Sequence, residues 1–365
     1  MKFLFSSYPL FGHLLPMLPL AAAARAAGHE VVVASGGEVI RSVERYGFDV
    51  WRIEDAGSET SLGERGSIPG LPAHVSAQRR APELVSRGES WHPDVVVHEP
   101  LDFAAPIVAA RTRALHLVHA LGPKIPKMIY DFLGPGLDQL YGEWGLPELK
   151  GAPEATYLDI CPPSLQSAGP TTWQRVRPLR PETFAGSDHE MLPAQIPATT
   201  DEKFIHITLG TVVNKSLPTF HAVLNGLRDV ERIVVLTVGP DVDPSVIENR
   251  APNVIVERFV PHALLLPRCC LVVNHGGNGS VFAALRHGLP QLLLPQGADQ
   301  FTTAAACQRA GAALVLRPAD VNATNVRRAV ERLLNEPSYS ENARRLQGEI
   351  LSMPSAEEVL VSLAG

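Results

Sequence analysis

The chain has 365 residues, of which 45% are hydrophobic and 19% are charged, and its formal net charge is -6. This length predicts two domains, and the composition excludes a disordered chain. A negative net charge without any block of like charge argues against a nucleic-acid partner, because phosphates select basic surfaces.

The N-terminal stretch, residues 2–27, is largely apolar and has some features of a signal peptide. Gly12, His13 and prolines interrupt it, and its periodicity changes from that of a strand to that of a helix, so we expect a folded segment. No other stretch is long and apolar enough to span a bilayer. The four cysteines form no CxxC pair. We therefore expect a cytoplasmic protein with reduced thiols, and a homodimer stays open.

The first half of the chain alternates short apolar runs with helical patterns. Strands are predicted at residues 2–6, 30–34, 94–98 and 115–119, with helices at 13–27 and 102–111. Apolar strands separated by helices predict a parallel sheet that is covered on both faces. Residues 55–70 are predicted to form a loop, and residues 123–144 helical pieces that line a site.

The same alternation restarts after a stretch rich in proline and polar residues. Strands are predicted at residues 204–209, 233–238, 254–257, 271–274, 291–294 and 313–316, and helices at 216–228, 278–287, 300–310 and 322–335. We predict an α/β protein with two doubly wound, Rossmann-like domains that face each other across a cleft. The domains comprise residues 1–190 and 201–365, with a linker at 191–200, and the last helix is a candidate to pack back on the first domain.

A histidine follows the first predicted strand. Gly12 is expected to make a tight turn and Pro16 to lie in the first turn of a helix, which places His13 at a helix N-terminus above the sheet. The helix dipole favours a neutral imidazole, the form that a general base requires. A carboxylate would fix its tautomer, and Glu99 is the first candidate and Asp102 the second. Alternatively, His13 only caps the helix or packs internally.

A glycine-rich turn follows the strand at residues 271–274. The turn and the helix after it contain polar or small residues whose amides and side chains suit a diphosphate: His275, Gly277, Asn278, Gly279 and Ser280. Free amides at a helix N-terminus bind anions. After the next strand come Gln296, Asp299 and Gln300, which can bind sugar hydroxyls. Alternatively, Asp299 caps the following helix.

On these runs, and on residues 258–269, the chain resembles the GT-B fold glycosyltransferases of bacterial natural-product (antibiotic and macrolide) biosynthesis, which are related to plant UDP-glycosyltransferases. The resemblance implies that Phe259 and Val260 contact the nucleobase and that Gly210 and Thr211 line the donor site. It also implies that His275 and residues 277–280 hold the pyrophosphate, and that Asp299 and Gln300, with Gln296 as a further candidate, hold the sugar. Residues 12–16 and Glu99 match the base motif. Ser280, Asn278, Phe259 and His262 depart from the residues common in this family.

The expected reaction is an inverting transfer of a sugar from a TDP- or UDP-sugar to a hydroxyl of an apolar natural product, and the resemblance implies that the sugar is a deoxysugar. No metal or other cofactor is expected, because the helix N-terminus at residues 278–280 and His275 can neutralise the charge of the departing diphosphate. Residues 241–243 (Asp-Val-Asp) are interpreted as a turn before a proline rather than as a metal-binding motif. The aromatic content of residues 123–144, with Trp91, motivates the apolar acceptor. Two alternatives stay open, namely a nucleotide-sugar epimerase on the same fold and a non-catalytic partner protein.

Overall fold

The computed structural model describes residues 1–53, 71–146, 155–167, 169, 171–184, 191–197, 203–210, 216–239, 242–248 and 250–364. The chain divides into two compact units. The first unit contains Met1–Cys161, Gln166–Arg180 and Met353–Gly365, and the second contains Pro162–Leu165 and Pro181–Ser352. The change from one unit to the other therefore comes at residue 181, before the predicted linker at 191–200.

The first unit is built on a parallel sheet. Its elements in chain order are β1 (Lys2–Ser6), α1 (Phe11–Leu14), α2 (Leu18–Ala26), β2 (Glu30–Ser35), α3 (Gly37–Arg45), β3 (Asp49–Arg52), α4 (Leu71–Trp91), β4 (Val95–His98), α5 (Ala105–Thr112), β5 (Leu115–His119), α6 (Lys127–Glu143), β6 (Thr156–Asp159) and β7 (Arg175–Pro178). Among the described residues the strand order is β3-β2-β1-β4-β5-β6-β7. The order of the strands reverses between β1 and β4, where doubly wound folds bind their ligands.

The register of β1 and β4 brings their carboxyl ends to the same level. Ser6, the last residue of β1, pairs with His98, the last residue of β4. The β1 and β4 side chains are buried almost throughout, because helices cover both faces of the sheet. The loops that follow these two strands therefore leave the sheet side by side.

The second unit repeats this plan with a second parallel sheet. Its elements are β8 (Phe204–Thr208), α7 (Leu217–Gly226), β9 (Val234–Thr237), β10 (Val254–Glu257), α8 (His262–Leu265), β11 (Cys269–Asn274), α9 (Asn278–Arg286), β12 (Gln291–Leu293), α10 (Gln300–Arg309), β13 (Ala313–Val315), α11 (Ala323–Asn335) and α12 (Pro337–Ser352). The described strands are ordered β10-β9-β8-β11-β12-β13. Here the order reverses between β8 and β11, whose last residues, Thr208 and Asn274, are paired.

Two apolar clusters flank the second sheet. One includes Phe220 of α7 and Val330 of α11, and the other includes Ile196 and Val260. Ile196 belongs to the stretch that was predicted to be a linker, and Arg268 donates a hydrogen bond to the carbonyl of Pro197. The described part of this stretch is therefore packed into the second unit.

The last helix, α13 (Ala356–Ala364), belongs to the first unit, where it packs against α2. Arg177 donates a hydrogen bond of 2.9 Å to the hydroxyl of Ser362. The backbone N–H of Arg180 donates to the carbonyl of Pro354 at 2.8 Å. These contacts fix the return of the chain to its first unit.

Several local predictions differ from the structure. The predicted helix at 13–27 is divided into α1, a 3-10 turn at Leu15–Met17 and α2, because Pro16 and Pro19 each remove a backbone donor. The predicted helix at 102–111 begins only at Ala105. Residues 123–144 contain the single helix α6 rather than separate pieces, with Pro135 inside it. The sequence reading missed α3, α4 and the strands β3, β6 and β7, and the predicted loop at 55–70 lies outside the described residues.

Within the described residues no helix has both the length and the apolar character that a bilayer crossing needs.

Candidate active site

His13 and Glu99 meet where the strand order of the first sheet reverses. The His13 Nδ1 atom lies 3.1 Å from Glu99 Oε1. His13 lies in α1, which begins at Phe11 with the extended residue Leu10 as its N-cap. Gly12 lies inside this short helix without a left-handed φ, so the expected tight glycine turn is wrong. Residues 7–10 make the connection between β1 and α1 instead.

Backbone amides fix the Glu99 carboxylate, which is fully buried. Oε1 accepts a hydrogen bond from the Tyr8 N–H at 3.2 Å, and Oε2 accepts one from the Leu101 N–H at 2.7 Å. The His13 side chain is 18% exposed, so its ring is open to a ligand on one side. With Nδ1 turned to the carboxylate, Nε2 is left to accept a proton. This geometry suits a general base with an orienting acid.

Asp102, the second candidate for that acid, is held by other groups. Its Oδ2 accepts from the Ser6 hydroxyl at 2.6 Å and lies 3.4 Å from Arg80 Nη1. Its Oδ1 accepts from the N–H groups of Ala104 and Ala105 at the start of α5. Burial alone would raise the pKa of the Asp102 carboxyl, but the Arg80 guanidinium, with smaller contributions from His98 and Ser6, holds the pKa below its ordinary value. Asp102 therefore braces the loop that carries Glu99.

Sequence reading missed two buried groups beneath this loop. Arg80 is fully buried on α4. The only sign of this in the sequence is that an arginine occurs among apolar positions of the helix. His98 donates from Nδ1 to the Glu99 carbonyl at 2.8 Å, and its Nε2 lies 2.7 Å from Nε2 of His116. Burial lowers the pKa of both histidines, that of His116 to about 3 with a further contribution from His98. The lowered pKa values disfavour a charge on either ring, and the two nitrogen atoms are close enough to share one hydrogen bond.

His275 occupies the corresponding reversal of the second sheet, where its ring lies between Gly210 and Gly277. A Cβ on Gly210 would lie 2.5 Å from the ring, and one on Gly277 would lie 2.3 Å from it. Gly210 also has a left-handed φ of +79°. Burial lowers the pKa of His275 to about 4, so the ring is neutral. Its buried Nδ1 has no hydrogen-bond partner in the described part of the chain, and Thr211 lies outside that part.

The turn after β11 leads directly into α9. Gly277 is the extended N-cap, and the first helical hydrogen bond from this end runs from the Val281 N–H to the Gly277 carbonyl. The amides of the first turn precede that bond and have no helical acceptor. Gly279 is exposed, and a Cβ built on it would meet nothing within 4 Å. The backbone is therefore open to an anion at Gly279 and the half-buried Ser280.

A buried amide pair that the sequence did not reveal braces this turn. Asn274 accepts a hydrogen bond from the Gly276 N–H at 2.8 Å and donates one to Gln291 Oε1 at 2.8 Å. Gln291 in turn donates to the Val281 carbonyl at 3.2 Å. Both side chains are fully buried. The network joins β11, β12 and α9, and so fixes the direction in which α9 starts.

The residues predicted to hold the sugar lie at the start of α10. Asp299 is the exposed N-cap, but its side chain makes no capping hydrogen bond. The Asp299 carboxylate instead accepts from Asn278 Nδ2 at 2.7 Å. Gln300 Oε1 accepts from the N–H groups of Gln296 and Gly297 at 2.8 and 3.2 Å. Gln296 Nε2 is buried and lacks a partner among the described residues, as a ligand-binding amide would.

Phe259 and Val260 follow β10. Phe259 is 61% exposed, whereas Val260 is buried in the core. The backbone beside them is held where the Gly239 N–H donates to the Arg258 carbonyl at 3.0 Å. An exposed aromatic ring on a fixed backbone is suited to stack on a nucleobase.

Two other predictions concern metal and acceptor binding. Asp243 is exposed and accepts from the Ser245 N–H at 2.9 Å, as in a turn, while Asp241 lies outside the described residues. In the described ranges no three His, Cys, Asp or Glu residues are grouped so that they could hold a metal ion. Trp91 was expected near the acceptor, but its carbonyl accepts from Lys2 Nζ at 3.1 Å. Lys2 begins β1, so Trp91 lies at the amino edge of the sheet and that expectation is wrong.

Comparison with known proteins identifies the family. The two domain models of the family described as "Erythromycin biosynthesis protein CIII-like" match residues 52–210 and 221–364. The L-demethylnoviosyl transferase of Streptomyces niveus is 29% identical over 383 residues, which cover 100% of this chain and 98% of that protein. The 3-alpha-mycarosylerythronolide B desosaminyl transferase of Saccharopolyspora erythraea is 28% identical, with 99% and 97% covered.

Solved structures agree with this match. The spinosyn rhamnosyltransferase SpnG, solved with thymidine diphosphate and with spinosyn aglycone, is 26% identical with a TM-score of 0.86, and the match covers 100% of both chains. The predicted GT-B fold class is thereby confirmed, as is the predicted glycosyltransferase activity. The chain belongs to the EryCIII-like family of bacterial natural-product glycosyltransferases.

Proposed function

We propose that the protein transfers a deoxysugar from a thymidine diphosphate sugar to a hydroxyl of an apolar, polyketide-like aglycone, with inversion at the anomeric carbon. The names of the relatives support this donor and acceptor, since they include desosaminyl and L-demethylnoviosyl transferases. SpnG, which was solved both with thymidine diphosphate and with its aglycone, gives the same support. A uridine diphosphate sugar is the alternative donor.

The observation that carries the proposal is the 3.1 Å contact between His13 and Glu99. A neutral His13 would accept the proton of the acceptor hydroxyl at Nε2, and the oxygen would attack the anomeric carbon opposite the leaving diphosphate. Glu99 would stabilise the imidazolium that results. Because the acceptor oxygen attacks directly, a single displacement inverts the configuration at that carbon.

The second unit would bind the donor. The free amides at the start of α9, with Ser280 and the neutral His275, would stabilise charge on the departing diphosphate, and we propose that no metal ion is needed. The Nδ1 atom of His275 has no hydrogen-bond partner among the residues that the structure describes, which supports a ligand there. The remaining proposed contacts are Phe259 and Val260 with the base, Gly210 and Thr211 beside the donor, and Gln296, Asp299 and Gln300 with the sugar.

An apolar acceptor is supported by α6. This helix buries Leu133 and Leu137 and leaves Met128 and Phe132 exposed. The Tyr130 hydroxyl and the Trp173 Nε1 are buried, and neither has a partner among the residues that the structure describes. An acceptor that is mostly apolar with a few polar substituents would match such a surface.

The test is sugar transfer by the purified protein with a panel of nucleotide sugars and polyketide aglycones, followed by mass spectrometry. His13→Ala should lower kcat/KM by about 100- to 10,000-fold, because it removes a general base, and should leave the affinity for thymidine diphosphate unchanged. Glu99→Gln should lose less, and His221→Ala, at an exposed histidine of α7, should lose nothing. Undiminished transfer by His13→Ala would refute the assignment, and loss of transfer after treatment with EDTA would refute metal independence.

A further inference from the structure

Asn278 joins the first turns of helices α9 and α10. Its Nδ2 donates to Asp299 Oδ2 at 2.7 Å, and its Oδ1 accepts from the Thr303 hydroxyl at 2.7 Å. An ionised carboxylate only accepts hydrogen bonds, so the amide nitrogen must face Asp299 and the Thr303 hydroxyl must donate to the amide oxygen. These contacts therefore determine the orientation of the Asn278 amide.

Burial makes this chain of hydrogen bonds effective. Asn278 and Thr303 are buried, whereas Asp299 is exposed. A hydrogen bond to an ionised carboxylate is stronger than one between neutral groups. Asn278 thus restricts the rotation of a carboxylate that remains accessible from solvent, and a small side chain at position 278 would leave Asp299 without this restraint.

We infer that Asn278 is a positioning residue for recognition of the donor sugar. It holds the Asp299 carboxylate in the orientation that accepts hydrogen bonds from sugar hydroxyls, and Thr303 holds Asn278. The inference rests on the proposed function, in which Asp299 binds the sugar and the first turn of α9 binds the diphosphate. Because Asn278 begins α9, one residue joins the two parts of the donor site.

The test compares two ligands by calorimetry, namely thymidine diphosphate and the nucleotide sugar that the wild-type protein binds most tightly among TDP-glucose, TDP-rhamnose and UDP-glucose. Asn278→Ala should weaken binding of the nucleotide sugar by about 10- to 100-fold, as expected for a hydrogen bond to a charged group. Binding of the diphosphate should change by less than about threefold, since the proposed diphosphate site does not include Asp299. Equal changes for both ligands, or none for the sugar, would overturn the inference.

Variants of Thr303 provide an independent measurement. Thr303→Val should weaken binding of the nucleotide sugar in the same selective way but less, because Asn278 keeps its place and loses only its orientation. Thr303→Ser keeps the hydroxyl and should restore binding. Thr302→Val, at the exposed neighbouring position of α10, is the matched control and should change neither ligand's affinity. Equal behaviour of the variants at positions 302 and 303 would contradict the positioning role.

A pH profile separates positioning from simple packing. Asn278→Asp places two carboxylates within hydrogen-bond distance. Such a pair shares one proton, and the pKa of that proton is raised above the ordinary value of a carboxyl group. Nucleotide-sugar binding by this variant should therefore recover as pH falls from about 8 to about 5.5, whereas a loss of packing would be independent of pH.

The Asp299→Ala variant separates the two proposals. If Asp299→Ala binds the sugar normally, the proposed role of Asp299 fails. If Asp299→Ala weakens binding and Asn278→Ala does not, the inference alone fails.

Discussion

At Gly279 the effect of a substitution on protein stability can be separated from its effect on donor binding. It is the second residue of α9, it is exposed, and a Cβ built there meets nothing within 4 Å. Alanine loses less backbone entropy than glycine in a helix, by up to about 1 kcal/mol. Gly279→Ala should therefore stabilise the protein and raise Tm by about 1–4 °C.

The same methyl group should impair the proposed diphosphate site. If phosphate oxygens approach the amides of the first turn of α9, they must occupy space beside Gly279 that the methyl would fill. We expect thymidine diphosphate to bind about tenfold or more weakly, which corresponds to about 1.4 kcal/mol. A protein that is both more stable and worse at binding would show that this glycine serves the ligand.

Calorimetric titration with thymidine diphosphate and thermal unfolding, each with the Gly279→Ala variant, provide the two measurements. Gly348→Ala is the matched control, because Gly348 also lies in a helix with nothing within 4 Å of its built Cβ. It should stabilise the protein without any effect on binding. Unchanged affinity in Gly279→Ala would refute the placement of the diphosphate at this turn.

Three further predictions concern residues of the two units. Gly210→Ala should cost about 1–3 kcal/mol in urea unfolding, because its φ is left-handed and its Cβ would lie 2.5 Å from His275. Arg80→Met should cost about 3–5 kcal/mol, because it leaves Asp102 buried without a countercharge, and adding Asp102→Asn should recover part of this loss. Burial lowers the pKa of His206 to about 3 and that of His262 to about 4. When the pH falls below 6.5, the ordinary pKa of histidine, these side chains bind protons in the unfolded chain but not in the folded protein. Stability should therefore fall by about 1 kcal/mol for each of them between about pH 7.5 and about pH 5.5. Replacing both with leucine should remove about 2 kcal/mol of that fall, and the part due to the other buried histidines should remain.

The sequence was informative where backbone conformation and apolar runs determine the structure. Buried strands are recognisable as apolar runs, and the turn after β11 is recognisable by its glycines, because few other residues fit beside the His275 ring. His13 and Glu99 could be paired in advance, since both follow strands that lie next to one another in a doubly wound sheet. The same rule could not choose firmly between Glu99 and Asp102, which are three residues apart in one loop.

Side-chain direction explains what the sequence could not provide. Asn278 was expected to hold the pyrophosphate, yet its side-chain amide is turned toward Asp299 and Thr303. Arg80 is distant in sequence from its partner Asp102, and no local sequence pattern indicates that the two side chains form an ion pair. The bracing pair Asn274 and Gln291 is equally nonlocal, because it depends on which strands become neighbours.

The position of each site follows from strand order. Where the order reverses, the connections after two adjacent strands run to opposite sides of the sheet, so the carboxyl ends of those strands stay uncovered. The first sheet reverses between β1 and β4 and the second between β8 and β11. His13 and Glu99 follow the first pair, and Gly210 and His275 follow the second. Since separate sheets position the two groups, His13→Ala should remove transfer without affecting thymidine diphosphate binding, and Gly279→Ala should weaken that binding without disturbing the contact between His13 and Glu99.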